Sequence, residues 1–181
     1  IVLTDEQFIE QWQNVPYTPK PFKEGVPVYL TMRGERVRSK SEQLIADRLF
    51  VNGIPYRYEF PVEVNGKIIH PDFKILKVSV RKDVYLEHCG MMDNPEYCAS
   101  AQFKIETYAK HGFIMGKNLI VTMESSQHSL NVEYVDRLIK EFLLIISTHF
   151  MNHFLYQMVG DILIVIKQFL RVSKLLSMHI Y

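Results

Sequence analysis

Three acids and one lysine stand out by type and order: Glu42, then Asp72 in His70-Pro71-Asp72-Phe73, then Glu87 in Tyr85-Leu86-Glu87-His88-Cys89-Gly90, then Lys104. Hard carboxylate oxygens of this kind suit Mg²⁺ or Mn²⁺. A bound cation can polarise a phosphate, lower the pKa of a water and shield charge on a leaving oxygen. Bare paired acids would repel an anionic substrate, so the cation would also make binding possible. Asp72 and Glu87 are therefore expected to hold the metal. An ammonium at Lys104 would orient the attacking water or stabilise the transition state, and Glu42 would accept a metal-bound water. Arg36, Arg38 and Lys40, in the basic run Arg33–Lys40, would hold a substrate backbone through its phosphates.

Each residue also has a plainer reading. Glu42 fits the far end of a capping box, Asp72 fits turn chemistry after a proline, and Lys104 fits a side chain lying along an amphipathic helix. Glu87 is harder to explain in that way. It ends an apolar strand, where an unpaired carboxylate is costly to bury. The histidines and cysteines (His88, Cys89, Cys98, His111) match no common zinc spacing. Cys89 has no suitably placed base, because its neighbour His88 would point to the opposite strand face. The glycines near Arg33 and Lys117 lack the context of a phosphate-binding loop.

Periodicity supplies the elements that would position these groups. Ser39 and Glu42 have capping-box spacing, and Ile45, Ala46 and Leu49 share the stripe of Glu42, which predicts a helix over 41–52 closed by Asn52-Gly53. Tyr56, Tyr58, Phe60, Val62 and Val64 alternate as one strand. Asn65-Gly66 is a two-residue turn signal, and a return strand should run over 67–76. A third strand is expected over 84–87. Asn94-Pro95 starts a helix that should end at Gly112, with Tyr97, Ala101, Lys104 and Tyr108 on one face. A fourth strand over 118–124 and a helix over 132–146 complete the order α-β-β-β-α-β-α. That is an α/β fold with a mixed central sheet of about four strands flanked by helices.

The 181 residues, nearly half of them apolar, suffice for one domain with a real core. A net charge of +1 excludes a globally basic field, so attraction to nucleic acid must come from local clusters. Residues 1–32 read as a Pro-rich, irregular lead-in, apart from a short helix capped near Thr4-Asp5-Glu6-Gln7. The domain proper is expected over 33–146, with an apolar helical tail over 147–181. From Phe142 to Gly160 there is no Asp, Glu, Lys or Arg. His149, Asn152, His153 and Gln157 interrupt that run, and a packed helix is favoured over a membrane span. Two cysteines make no disulfide framework, and no signal peptide is evident. The expectation is a cytoplasmic protein whose start at Ile1 is compatible with a piece of a longer chain.

Taken together, Arg36-Val-Arg-Ser-Lys-Ser-Glu42, Ile54-Pro-Tyr-Arg-Tyr-Glu59, Pro71-Asp72-Phe73, Glu87-His-Cys-Gly90-Met-Met-Asp93 and Lys104-x-x-x-Tyr108 resemble the PD-(D/E)XK nuclease superfamily. The likeness is to a branch of bacterial and phage proteins with a Glu-His-x-Gly motif, and it covers roughly 33–145. It implies a restriction-endonuclease-like core and Mg²⁺-dependent cleavage of DNA, with Mn²⁺ able to substitute. Asp72 and Glu87 would be the motif acids, the His88 main-chain carbonyl a further metal ligand, and Glu42 the first-helix acid. The usual motif lysine is absent: Cys89 stands in its place, and Lys104 lies where some branches supply the lysine from the following helix. Tyr108 matches a helix tyrosine of exonuclease-like branches and is expected to face nucleic acid. Pairing of two chains to cut both strands stays open. The rival expectations are a non-catalytic nucleic-acid-binding module of the same fold, and a membrane- or partner-associated protein acting through the C-terminal apolar segment.

Overall fold

The computed structural model describes residues 2–64 and 66–144. The expected tail over 147–181, the last two residues of the helix expected over 132–146, and Asn65 of the expected turn lie outside the described residues. The first element is α1 (Asp5–Asn14), held by a complete capping box between Thr4 and Gln7. Then come two short strands, β1 (Tyr29–Leu30) and β2 (Arg36–Val37), paired antiparallel. The lead-in is therefore more ordered than its prolines suggest.

Helix α2 (Lys40–Val51) follows its N-cap Ser39, whose hydroxyl accepts from the Glu42 N–H. The reciprocal half of the expected capping box is missing, because the Glu42 side chain is drawn elsewhere. Asn52 ends the helix and Gly53 takes a φ of +66°, a left-handed conformation that glycine adopts without a steric penalty.

The long hairpin expected over 56–76 forms in a single register but is interrupted in its middle. Strand β3 (Tyr56–Tyr58) pairs with β6 (Phe73–Lys77), whereas β4 (Val62–Val64) and β5 (Lys67–Ile69) pair only with each other. The break has a physical cause on each strand. Pro61 and Pro71 have no N–H to give to a ladder, and Glu59 adopts φ +45°, which turns the chain out of the sheet. One bond, Glu59 N–H to Asp72 carbonyl at 2.9 Å, closes the ladder at that point. Asp72 consequently stands just before β6, at a sheet end.

Strand β7 (Lys82–Cys89) is longer than expected and central, antiparallel to β6 and parallel to β8 (Leu119–Met123). Helix α3 (Pro95–Lys110) is the crossover between the two parallel strands, capped by Asn94. The sheet order is β3-β6-β7-β8, so the mixed four-stranded sheet read from periodicity is present. Helix α4 (Val132–Leu138) continues as a wider π-helical turn over Ile139–Leu144.

Strand alternation sorts the core into two layers. Phe73, Ile75, Leu86 and Ile120 face α2 and α4, and are buried with Ile45, Leu49, Val135 and Leu143. On the other face Tyr85 and Leu119 are buried with Tyr108 and Phe113, and β4–β5 packs against them through Val62, Val64 and Ile69. The lead-in is bound to this core. Trp12 donates to Asp83, Tyr17 donates to the Tyr58 carbonyl, Arg81 pairs with Asp5, and Arg57 reaches the Trp12 and Val15 carbonyls.

Candidate metal-binding acid pair

The β6–β7 register sets the site. Phe73 lies opposite Leu86, so one step on Asp72 lies opposite Glu87, on the sheet face covered by α3. Directly opposed residues on neighbouring strands have Cβ atoms about 4.5–5.5 Å apart. Asp72 Oδ2 accepts the His88 N–H at 2.7 Å, which holds the aspartate against the end of β7. Among the described residues Oδ1 accepts no hydrogen bond.

Glu87 is 4% exposed and is held at both oxygens. Lys104 Nζ pairs with Oε1, and Tyr108 donates to Oε2 at 3.1 Å. Both partners come from α3, where their spacing of four residues places them on one face. The four groups form one electrostatic unit. Burial, and then the charge of Glu87, push the Asp72 carboxyl well above the usual carboxylate range, against the pull of Lys104 and the His88 N–H. Burial likewise raises Glu87, although Lys104 and Tyr108 oppose it. Burial alone would lower Lys104, but the Glu87 and Asp72 charges outweigh it and hold the side chain as an ammonium. Two enclosed acids thus share one lysine, leaving the cluster short of positive charge.

Glu42 sits across the sheet end at the first turn of α2. Its Oε2 accepts the Arg38 N–H at 2.9 Å and the Tyr58 hydroxyl at 2.6 Å, and its charge contributes to raising Asp72. It reaches the pair through space and makes no direct contact with it. Among the described residues no three His, Cys, Asp or Glu side chains are arranged to hold a metal. The donor set of Asp72, Glu87 and the His88 carbonyl still fits Mg²⁺, which binds through one or two carboxylates and keeps several waters. It does not fit zinc, which needs three or four protein ligands.

Some expected roles need correction. Tyr108 does not face outward: it is 2% exposed, packed on Phe113, and its hydroxyl serves Glu87. Arg38 is not free to clamp phosphate. Its Nε and Nη2 each lie 2.8 Å from a Glu59 oxygen, and Nη2 also donates to the Lys20 and Pro21 carbonyls. Arg36 and Arg38 both stack on Phe22, at 4.3 and 4.5 Å. Of the three basic residues only Lys40 is exposed, and Arg36 and Arg38 are half-buried. Cys89 is 3% exposed and burial, with the nearby acids, pushes its thiol up to about 11, which suits a packing residue rather than a nucleophile.

Sequence reasoning missed two buried networks. Glu59, 4% exposed, is the partner of Arg38. On the α2 face, His88 Nδ1 meets Thr122 Oγ1 at 2.9 Å, and Nε2 lies 3.2 Å from Glu124, out of line for a hydrogen bond. Glu124 also accepts from Ser41 at 2.7 Å and from the Leu130 N–H. Glu124 follows the apolar strand β8, the signal that singled out Glu87, whereas Glu59 follows Tyr56-Arg57-Tyr58 and carries no such signal. No family model, curated protein or solved structure matches this chain.

Proposed function

We propose that the chain is a metal-dependent nuclease that hydrolyses DNA phosphodiester bonds. One observation carries this reading. Two enclosed carboxylates face each other across β6 and β7 with a single lysine between them and α3, and their ionisation is opposed by burial and by each other. Such an acid pair in a fold is costly unless a cation offsets it, and acids whose ionisation is perturbed by burial and a charged neighbour cluster at functional sites.

Asp72, Glu87 and the His88 carbonyl would hold the cation, here Mg²⁺ or Mn²⁺. When bound it supplies Lewis-acid polarisation of the phosphate and a more acidic water. Water adds to phosphorus in line, the bond to the leaving strand oxygen breaks, and a proton passes to that oxygen. Lys104, kept as an ammonium, donates to a non-bridging phosphate oxygen and does not serve as the base. Tyr108 holds the Glu87 carboxylate in orientation, and the free Glu42 oxygen accepts from a water in the site.

The test is cleavage of labelled single-stranded, duplex and branched DNA with Mg²⁺ or Mn²⁺. Asp72→Ala and Glu87→Ala should each abolish cleavage while circular dichroism remains native. Full activity in both variants removes the assignment. The Lys104–Glu87 ion pair favours a second reading, an inactive nucleic-acid-binding module in which the lysine replaces the metal. That reading predicts salt-sensitive DNA binding without product at any metal concentration.

A further inference from the structure

Beside the acid pair, on the same sheet face, lies a cavity of about 350 Å³ lined by Lys20, His70, Ser100, Phe103, Lys104 and Thr107, together with Ile69 and Tyr108. Its walls come from three places. Ser100, Phe103, Lys104 and Thr107 recur at spacings of three and four along one side of α3. His70 stands in the break between β5 and β6, two residues before Asp72, and Lys20 comes from the lead-in. Among the described residues no carboxylate lines it. A second cavity, at the other end of α3, is lined by Asp93, Glu124 and three serines, so the two openings differ in sign. Phe103 is 70% exposed although it borders a concave, partly apolar wall.

We propose that this cavity takes one nucleotide of a single-stranded DNA segment, with the base stacked on Phe103 and the flanking phosphates on Lys20 and His70. The proposal rests on the nuclease reading and deepens it by naming the substrate class. The Lys20 ammonium and a His70 ring N–H can both donate to an anionic backbone, and an exposed ring accepts any base face, which is how sequence-tolerant single-strand binding works. The cavity is at the small end of ligand sites and holds one nucleotide rather than a base pair. Lys104 lines both the cavity and the acid pair, so a nucleotide seated here presents its next phosphate to Asp72 and Glu87.

The test is fluorescence anisotropy of the full chain with labelled dodecathymidylate and with a labelled duplex, in Ca²⁺ to suppress cleavage. Phe103→Ala should weaken single-strand binding roughly 5- to 100-fold, and Phe103→Trp should restore it. Because Phe103 is so exposed, neither change should disturb folding. Lys20→Ala should lower the salt dependence by about 0.7 in log–log slope. Duplex affinity should change less than about 2-fold in Phe103→Ala, since paired bases cannot reach the ring. Single-strand binding unaffected by Phe103→Ala overturns the proposal, as does a change confined to self-association by light scattering. The two readings fail differently. Phe103-dependent binding with no product in Mg²⁺ or Mn²⁺ retires the nuclease alone, and cleavage with Phe103-independent binding retires this site alone.

Discussion

Replacing Asp72 by Asn separates the cost of the acid pair from its use. Asparagine keeps the shape of the side chain and an oxygen that can accept the His88 N–H, a bond of 2.7 Å in the native chain. It removes one of two opposed negative charges. Burial first, and Glu87 second, hold the Asp72 carboxyl above its ordinary value. A carboxyl raised on folding binds more protons in the folded state, so without metal stability falls as pH rises from the unfolded value, about 3.9, through the raised folded one. Above that window the wild type carries the whole cost and the variant does not. Lys104 offsets part of the repulsion, so we expect the variant to be more stable by about 1–2 kcal/mol. For a chain of this size that is roughly 2–8 °C in Tm. Below the unfolded carboxyl pKa, where both acids are protonated in either state, the two proteins should melt alike. Mg²⁺ at a hundred times its Kd should raise wild-type stability by about 2.7 kcal/mol and leave the variant nearly unmoved. Calorimetric scans at about pH 8 and about pH 3, with and without Mg²⁺, give these values. A variant less stable than wild type at pH 8, or an equal Mg²⁺ shift in both, would refute the reasoning.

Other perturbations probe the supporting groups. Lys104→Met should cut the single-turnover cleavage rate about 10²- to 10³-fold with little change in KM, and should steepen the alkaline loss of stability because Glu87 loses its cation. Tyr108→Phe removes one donor to Glu87 and should cost about 1–2 kcal/mol in urea denaturation, with a smaller fall in rate than Lys104→Met. Arg38→Ala strands the buried Glu59 and should cost about 2–4 kcal/mol by the same assay; a neutral result would show that the Arg38–Glu59 pair adds nothing. With its thiol pushed up to about 11, native Cys89 should resist iodoacetamide at pH 8 while Cys98 reacts first, read by peptide mass spectrometry.

Much of the layer order was legible in the chain. The stripe of Ile45, Ala46 and Leu49, the Asn94-Pro95 helix start and the apolar run at Leu119 each specify their element locally, and the mixed sheet follows from their order. The hairpin was legible, and one register runs from Tyr56–Ile75 to Val64–Lys67, but its interruption in the middle was not. Pro61, Pro71 and the left-handed Glu59 interrupt the ladder between Tyr58 and Val62, and whether one ladder or two results is decided by pairing, not by pattern. The basic run Arg33–Lys40 was legible as charge but not as partnership, since Glu59 and Phe22 meet it from distant parts of the chain.

The sequence by itself determined which residues carry acid, lysine and tyrosine, and that α3 presents Lys104 and Tyr108 on a common face. Tertiary structure decided what they touch. A one-residue shift in the β6–β7 register would send Asp72 to the opposite sheet face from Glu87, because strand side chains alternate. The tight connection 78–81, with its left-handed Arg81, sets Lys77 opposite Lys82, and the packing of Phe73 and Ile75 with Leu86 beneath α2 holds that register. The same burial decided that Tyr108 supports a carboxylate instead of meeting a ligand, since exposure depends on everything packed around a side chain and not on its neighbours in the chain.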